Sequence, residues 1–348
     1  MTLRPATFAI PGDITTLTGG YIYERRLLEG LQAQGRDMAH LPLGATFPAP
    51  SDPDMAEAVA RLAALPPDRV LILDGLIYGS IATEGLARVQ SPIVAMIHHP
   101  LAHETGLDPA RAAHLFRTER DNLALAAHVL VPSPHTAALL ASDYGVPPDR
   151  ITIVRPGTDR PTLPPCPADP PLILSVGIQH ARKGHDILLR ALAEVTDLDW
   201  QAVIVGSPHD PAFAADLARL HRRLDLGARV TLAGRVSAGD LAQHYSRAQI
   251  FALATRYEGY GIVFDEALAH GLPIVTCATG AVPDTVPAEA GLLVPPDDAP
   301  AFARALREML QDSALRQAKA GAALRAGDAL PGWQDTARRA GQVLDALP

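Results

Sequence analysis

The strongest constraint on how this chain folds is its alternation of short, uninterrupted apolar runs with amphipathic stretches. Thr7-Phe8-Ala9-Ile10, Val70-Leu71-Ile72-Leu73, Ile93 to Ile97, Val129-Leu130-Val131 and Ile151 to Val154 are apolar at every position or nearly so. A strand with one solvated face alternates polar and apolar residues, so continuous runs indicate strands buried on both faces of a parallel sheet. The stretches between them have helical spacing. Tyr23, Leu27 and Leu31 share one face, and Gly35 follows as a C-terminal stop. Ser133 and Pro134 have the chemistry of an N-cap and a first turn for a helix running to Tyr144.

The rhythm breaks at RPTLPPCPADPP, residues 160–171, where prolines are too dense for a helix or an interior strand. It then restarts with Leu172 to Val176, Val203-Ile204-Val205, Val230-Thr231-Leu232, Ile250 to Ala254, Ile274-Val275 and Leu292-Leu293-Val294. The expectation is an α/β chain of two doubly wound, Rossmann-like domains. The first spans 1–159, a proline-rich hinge spans 160–171, the second domain spans 172–330, and a last helix, 331–348, crosses back to the first domain. Two such domains are expected to face each other across a cleft at the carboxyl ends of their strands.

Composition narrows the function. The 348 residues include 48% hydrophobic and 20% charged side chains, an ordinary globular balance. A net charge of −8 argues against nucleic acid, which favours a basic face. Two cysteines, Cys166 and Cys277, build no disulfide framework or metal spacing and fit a reducing compartment. With no signal-peptide core and no apolar span, a cytoplasmic location is expected, with at most peripheral contact at the inner face of a membrane.

Chemistry-bearing residues cluster at the ends of the apolar runs. Thr18-Gly19-Gly20 opens the first helix, where glycines let the backbone approach phosphate. It falls short of a dinucleotide fingerprint and fits a plain turn equally well. His98 and His99 directly follow the run ending at Ile97, and His103 and Glu104 lie close by. These four raise a metal alternative, which Pro100 disfavours by breaking helical ligand spacing. Gly177 precedes Arg182-Lys183-Gly184, a pair of cations suited to phosphate. Gly234-Arg235-Val236 ends another strand. In Thr255 to Val275, seven residues separate Glu258 from Glu266: the first precedes Gly259 and Gly261, and the second lies in the helix-forming run Ile262 to Ala269. A helix start suits phosphate and carboxylates suit hydroxyls, together the chemistry of a sugar nucleotide. A glycosidase would also use paired carboxylates, but it leaves the phosphate-ready glycines and cations unexplained.

The segment EGYGIVFDEALAHGLPIV resembles the E-x7-E signature of retaining glycosyltransferases of family 4, which have the GT-B fold. The resemblance implies transfer of a sugar from a nucleoside-diphosphate-sugar donor to an acceptor hydroxyl, in glycan or glycoconjugate biosynthesis. It casts His98, in preference to His99, as the active-site histidine, and Arg182 and Lys183 as partners of the leaving diphosphate. Glu258 is implied for hydroxyls of the transferred sugar and Glu266 for the ribose. Gly19, Gly20 and Gly177, with the backbone of Gly259, Tyr260, Gly261, Ile262 and Val263, line the diphosphate. Arg235 and Val236 border the base. The chain departs from many relatives by carrying Ile178 where they carry an arginine. Asp52-Pro53-Asp54 has the spacing of a metal clamp but is expected in a loop before a surface helix, so neither a cofactor nor an obligatory metal is expected. Alternatives within the same fold are a sugar-nucleotide epimerase, a phosphorylase or a non-catalytic sugar-nucleotide-binding protein. The acceptor is unread.

Overall fold

A computed structural model describes residues 3–347 and divides into two compact units, 1–157 with 331–348, and 158–330. Unit 1 contains β1 (Ala6–Pro11), α1 (Gly19–Ala33), β2 (Met38–Leu43), α2 (Asp52–Ala63), β3 (Val70–Asp74), α3 (Gly75–Tyr78), α4 (Thr83–Leu86), β4 (Ile93–Met96), α5 (Pro109–Leu123), β5 (His128–Val131), α6 (Pro134–Ser142) and β6 (Ile151–Ile153). Unit 2 contains β7 (Leu172–Val176), α7 (His185–Ala193), β8 (Gln201–Val205), α8 (Pro211–Arg223), β9 (Val230–Gly234), α9 (Ala238–Arg247), β10 (Ala248–Leu253), α10 (Ile262–Ala269), β11 (Ile274–Cys277), α11 (Val282–Thr285), β12 (Gly291–Val294), α12 (Ala299–Gln311) and α13 (Ser313–Asp328). The last helix, α14 (Trp333–Ala346), returns to unit 1.

Each unit holds one parallel sheet of six strands, ordered β2-β1-β3-β4-β5-β6 and β12-β11-β10-β7-β8-β9. Strands β1, β3 and β4 are buried at every residue, as continuous apolar runs require. In each sheet the first strand, β1 or β7, has neighbours on both sides reached by opposite crossovers. That is the switch point where loops at the carboxyl ends diverge and leave room for a ligand.

The sequence leaves β2 unread. Its MAHLPL pattern mixes His40 and Pro42 among apolar residues, and it pairs only with β1 at the sheet edge, where a proline is tolerated. The proline-rich stretch also differs from a free hinge. The boundary falls between Gly157 and Thr158, and the stretch belongs to unit 2. There the Cys166 and Ala168 amides donate to the Ser246 and Arg247 carbonyls, and Arg160 donates to the Gly327 carbonyl at 2.8 Å. Prolines lack the donors for a helix, but the amides between them remain free to bond a neighbouring element. Asp52 and Asp54 are not in a loop: they form the first turn of α2 under the N-cap Ser51, and the Asp54 carboxylate accepts from the Thr46 hydroxyl at 2.5 Å.

Helix α14 is fixed to unit 1 by close backbone approach and by ionic contacts. A Cβ on Gly157 would lie 2.3 Å from the Trp333 amide nitrogen, and one on Gly30 would lie 2.6 Å from the Ala337 Cβ. Arg36, wholly buried, donates to both Asp345 oxygens at 2.8 and 3.0 Å and to the Gly341 carbonyl at 3.3 Å. The Thr336 hydroxyl donates to the Arg155 carbonyl at 2.8 Å, and Arg26 stacks over Trp333. Among the described residues, no helix is long and apolar enough to cross a membrane.

Candidate functional site

In unit 2, the turn after β7 and the loop after β10 meet because those strands are neighbours. Gly184 makes the approach possible. It has φ +62° and caps α7, and a Cβ there would fall 1.8 Å from the Ala254 carbonyl oxygen. The short 3-10 turn Ala181–Lys183 is thereby held against Thr255–Glu258. Lys183 Nζ lies 2.6 Å from Glu258 Oε1, Arg182 Nη1 lies 3.6 Å from Oε2, and the Thr255 hydroxyl donates to Oε1 at 3.0 Å. Glu258 is 4% exposed. Burial pushes its carboxyl upward, but Lys183 and Arg182 outweigh burial and hold it below the ordinary value. Glu258 is therefore ionised at neutral pH.

The loop after β11 secures the same residue from behind. The Ala281 amide donates to the Glu258 carbonyl at 2.8 Å. Gly280, φ +52°, allows this, since a Cβ there would lie 2.3 Å from that oxygen. Gly261, φ +91°, is the N-cap of α10, whose first-turn amides at Ile262 and Val263 have no acceptor within the helix. The resulting arrangement has fixed cations beside a helix start, with one carboxylate between them and the core. It is suited to a ligand that carries both phosphate and hydroxyls.

The other predicted residues take distinct places. Glu266 projects from α10 and accepts from the Tyr245 hydroxyl at 2.7 Å. Burial pushes its carboxyl up, Tyr245 opposes this and Asp159 adds to it. The Tyr245 and His270 rings stack at 4.5 Å, which fixes the tyrosine. Gly177 lies beside Lys183, and its carbonyl accepts from His185, whose buried imidazole is pushed down to about 4 and stays neutral. Gly259 and Tyr260 continue the Glu258 loop, with the Tyr260 carbonyl accepting from Thr285 at 2.9 Å. Arg235 is exposed and Val236 half-buried at the end of β9, an edge strand separated from β7 by β8. The structure thus brings Gly177, Arg182, Lys183, Glu258 and the start of α10 together, and leaves Arg235 and Val236 on the outer strand.

In unit 1, His98 follows β4 and faces the first two turns of α1. A Cβ on Gly20 would lie 3.7 Å from its Nε2, and Tyr23 meets the ring edge-on at 5.5 Å. Gly19 and Gly20 are the first two residues of α1. Nε2 of His98 is 3.2 Å from Glu24 Oε1. Asp74, at the end of β3, caps α3 by accepting from the Leu76 amide at 2.9 Å. Glu24 and Asp74 are 1% and 2% exposed. Burial pushes the Glu24 carboxyl up to about 7, and burial together with Glu24 raises Asp74 well above its ordinary value. His98 is pushed down by burial, against Asp74, and stays neutral. The four-residue metal alternative does not assemble, because His99 turns to Glu104 at 2.6 Å while His98 turns to Glu24. Among the described residues, the group whose ligand atoms converge is Glu24, Asp74 and His98, all within 4.8 Å.

Sequence reasoning missed Glu24, Asp74, Thr255 and Tyr245. Two of these had a signal. Asp74 ends an apolar run just as His98 does, and Glu24 sits four and seven residues before Leu28 and Leu31, on the apolar face of α1.

Residues 22–160 match the model of glycosyltransferase family 4, and residues 170–312 match that of glycosyl transferases group 1. The chain is 33% identical over 223 residues to a D-inositol 3-phosphate glycosyltransferase from Kineococcus radiotolerans, covering 56% of this chain and 51% of that protein. It is 34% identical over 177 residues to a GDP-mannose-dependent monoacylated alpha-(1-6)-phosphatidylinositol monomannoside mannosyltransferase from Corynebacterium glutamicum, covering 48% and 45%. The chain spans about half the length of the curated relatives it matches. Among solved structures, sucrose-phosphate synthase from Thermosynechococcus elongatus superposes with a TM-score of 0.83 at 25% identity, over 98% of this chain and 99% of that one. HepE from Anabaena, in complex with UDP and glucose, shares the fold at 15% identity, with a TM-score of 0.78 over 99% and 100%. With both halves matched in order and the whole-chain superposition in agreement, the chain belongs to the family 4, group 1 glycosyltransferases and has their GT-B fold.

Proposed function

We propose that the chain is a retaining glycosyltransferase that moves a sugar from a nucleoside-diphosphate-sugar donor to an acceptor hydroxyl in glycan or glycoconjugate biosynthesis. The observation that carries this is the Lys183–Glu258–Arg182 cluster beside the start of α10. In the reaction the bond from the anomeric carbon to the diphosphate breaks and a bond to the acceptor oxygen forms. The acceptor proton ends on the departing diphosphate. Charge therefore grows on the phosphate oxygens, where fixed cations and helix amides stabilise it without reorganising. Lys183 is suited to that oxygen as a point charge and Arg182 as a planar fork. Glu258, kept ionised, faces the electron-poor sugar, and Glu266, oriented by Tyr245, suits the ribose diol. These groups supply the charge stabilisation from side chains and backbone, so no metal is assigned to the step. EDTA treatment is expected to leave the rate unchanged.

The relatives act on an inositol phosphate and on a phosphatidylinositol mannoside, which supports a polyol or glycolipid acceptor. A thermal-shift panel of UDP, GDP and ADP with their sugar conjugates tests the donor. Selective stabilisation by one nucleotide is expected, and stabilisation by none overturns the assignment. Product analysis completes the test: an epimerised nucleotide sugar, or sugar phosphate released from a glucan, would replace the transferase reading.

A further inference from the structure

Around His98 the fold assembles more than a strand-end histidine needs. One edge of the imidazole is closed by α1, with Gly20 against Nε2 and Cδ2, Tyr23 edge-on and Glu24 at 3.2 Å from Nε2. The backbone is held as well, since the Thr136 hydroxyl donates to the His98 carbonyl at 3.4 Å. The ring itself retains partial exposure, 23% of the side chain. The nitrogen turned to Glu24 is thus committed, and the chemistry open to a substrate falls to Nδ1.

Two carboxyls buried within reach of each other cannot both be ionised at modest cost, so such a pair holds a shared proton. Asp74 is placed to keep it. It lies at the end of β3, pairs in register with Met96 of β4, and has one oxygen engaged by the Leu76 amide. The hydrogen bond between the two acids then runs from Asp74 to Glu24. Glu24 is left to accept from His98, which requires the proton of the neutral imidazole on Nε2.

We propose that Glu24 and Asp74 are positioning residues that fix the tautomer of the neutral His98 ring, with its proton on Nε2, so that Nδ1 presents a lone pair to a substrate hydroxyl. This deepens the transferase reading and rests on it for the identity of that hydroxyl. Protonation of Glu24 reverses the arrangement: Glu24 then donates to Nε2, and Nδ1 carries the hydrogen. The hydroxyl loses its acceptor through a change of tautomer, without the ring having to charge. The ionisable groups on the surrounding elements are Tyr21, Tyr23 and Glu24 of α1 and Asp74 at the end of β3, with Asp13 acting on Tyr21. Both tyrosines are pushed up by burial and Asp74 keeps its proton, so Glu24, at about 7, is the group that titrates in the working range.

The first test needs no activity. Ring nitrogen shifts of His98, read by 15N NMR in the intact protein across the neutral range, are expected to show the hydrogen moving from Nδ1 to Nε2 as pH rises through about 7, with the ring charging only below its ordinary value. An imidazole that charges near 6.5 like a solvated one overturns the proposal. So does a divalent cation that shifts these resonances in wild type but not in Glu24→Gln, since the cluster would then be a metal site.

The second test is kinetic. Glu24→Gln, similar in shape but unable to titrate, is expected to lower kcat about 10- to 100-fold, a typical loss for a mispositioned acid–base group, while donor KM stays within about twofold. It also flattens the acid limb of the pH profile, and Asp74→Asn moves the same readouts in the same direction. Unchanged kcat and pH profile in both variants overturn the proposal. Wild-type protein that transfers no sugar, with the nitrogen shifts as expected, overturns the proposed function instead and leaves the positioning role standing.

Discussion

Glu258 of unit 2 and Glu24 of unit 1 are both glutamates at nearly the same depth, 4% and 1% exposed, and their environments shift them in opposite directions. Glu258 meets Lys183 and Arg182 and is held ionised. Glu24 meets another acid and a neutral imidazole, and burial, outweighing the hydrogen bond from Asp74, pushes it up to about 7. Burial alone predicts the same upward shift for both, so the partner decides the outcome. The difference matches the chemistry of each place. Unit 2 presents fixed charge, which suits stabilisation of a leaving anion. Unit 1 presents a movable proton, which suits control of a hydroxyl.

Removing a carboxylate should therefore have different costs in the two units. Glu258→Ala leaves two cations without their buried partner and is expected to destabilise by about 3–5 kcal/mol in urea unfolding. Sugar transfer should fall at least about 100-fold, the scale of losing one preorganised charge contact. A loss under about 1 kcal/mol would place the pair among surface ion pairs and break the contrast.

Next in size is the backbone that builds each site. Gly184→Ala places a Cβ against the Ala254 carbonyl at a positive φ, and a loss well above about 1 kcal/mol is expected. Gly20→Ala in unit 1 meets nothing nearer than the His98 ring at 3.7 Å. It should leave the melting temperature nearly unchanged.

The pH dependence of stability separates the two glutamates by sign. The folded-state value of Glu258 is lowered, so its contribution is present above the ordinary carboxylate range and is lost on acidification through the depressed value. For Glu24 it is raised from 4.5 to about 7, so its contribution is complete below 4.5 and is lost as pH rises toward 7. Urea midpoints of Glu258→Gln and Glu24→Gln, each subtracted from wild type, should slope in opposite directions over those windows. Parallel slopes would mean that burial dominates both sites. The smallest effect is expected for Tyr245→Phe, which removes one hydrogen bond to Glu266 and should cost about 1 kcal/mol.

These contrasts also show what sequence alone could convey. The buried strands were readable because double-sided burial leaves an uninterrupted apolar signature, and α10 falls at Ile262–Ala269 as its pattern predicts. Strand β2 was not readable, since an edge strand with a proline carries no such signature. Lys183 and Glu258 were each recognisable as candidates, but their contact depends on β7 lying beside β10, which is a property of topology. Glu24 was hidden by the opposite problem. A lone acid on an apolar helix face looks like a defect until the strand ends carrying Asp74 and His98 are seen against it.

The return of α14 to unit 1 has a consequence for the order in which the protein is made. Helix α14 packs on α1, the helix that carries Glu24, and Arg36 and Asp345 close the contact. All of unit 2 is translated between those two helices. While the ribosome is adding residues 158–330, unit 1 waits without its last helix, with the Gly30 and Gly157 seats uncovered. Unit 2, continuous in the chain, has every element it needs before that wait ends. A chain truncated just before Trp333 should therefore protect the Lys183–Glu258 cluster from proteolysis and leave α1 open.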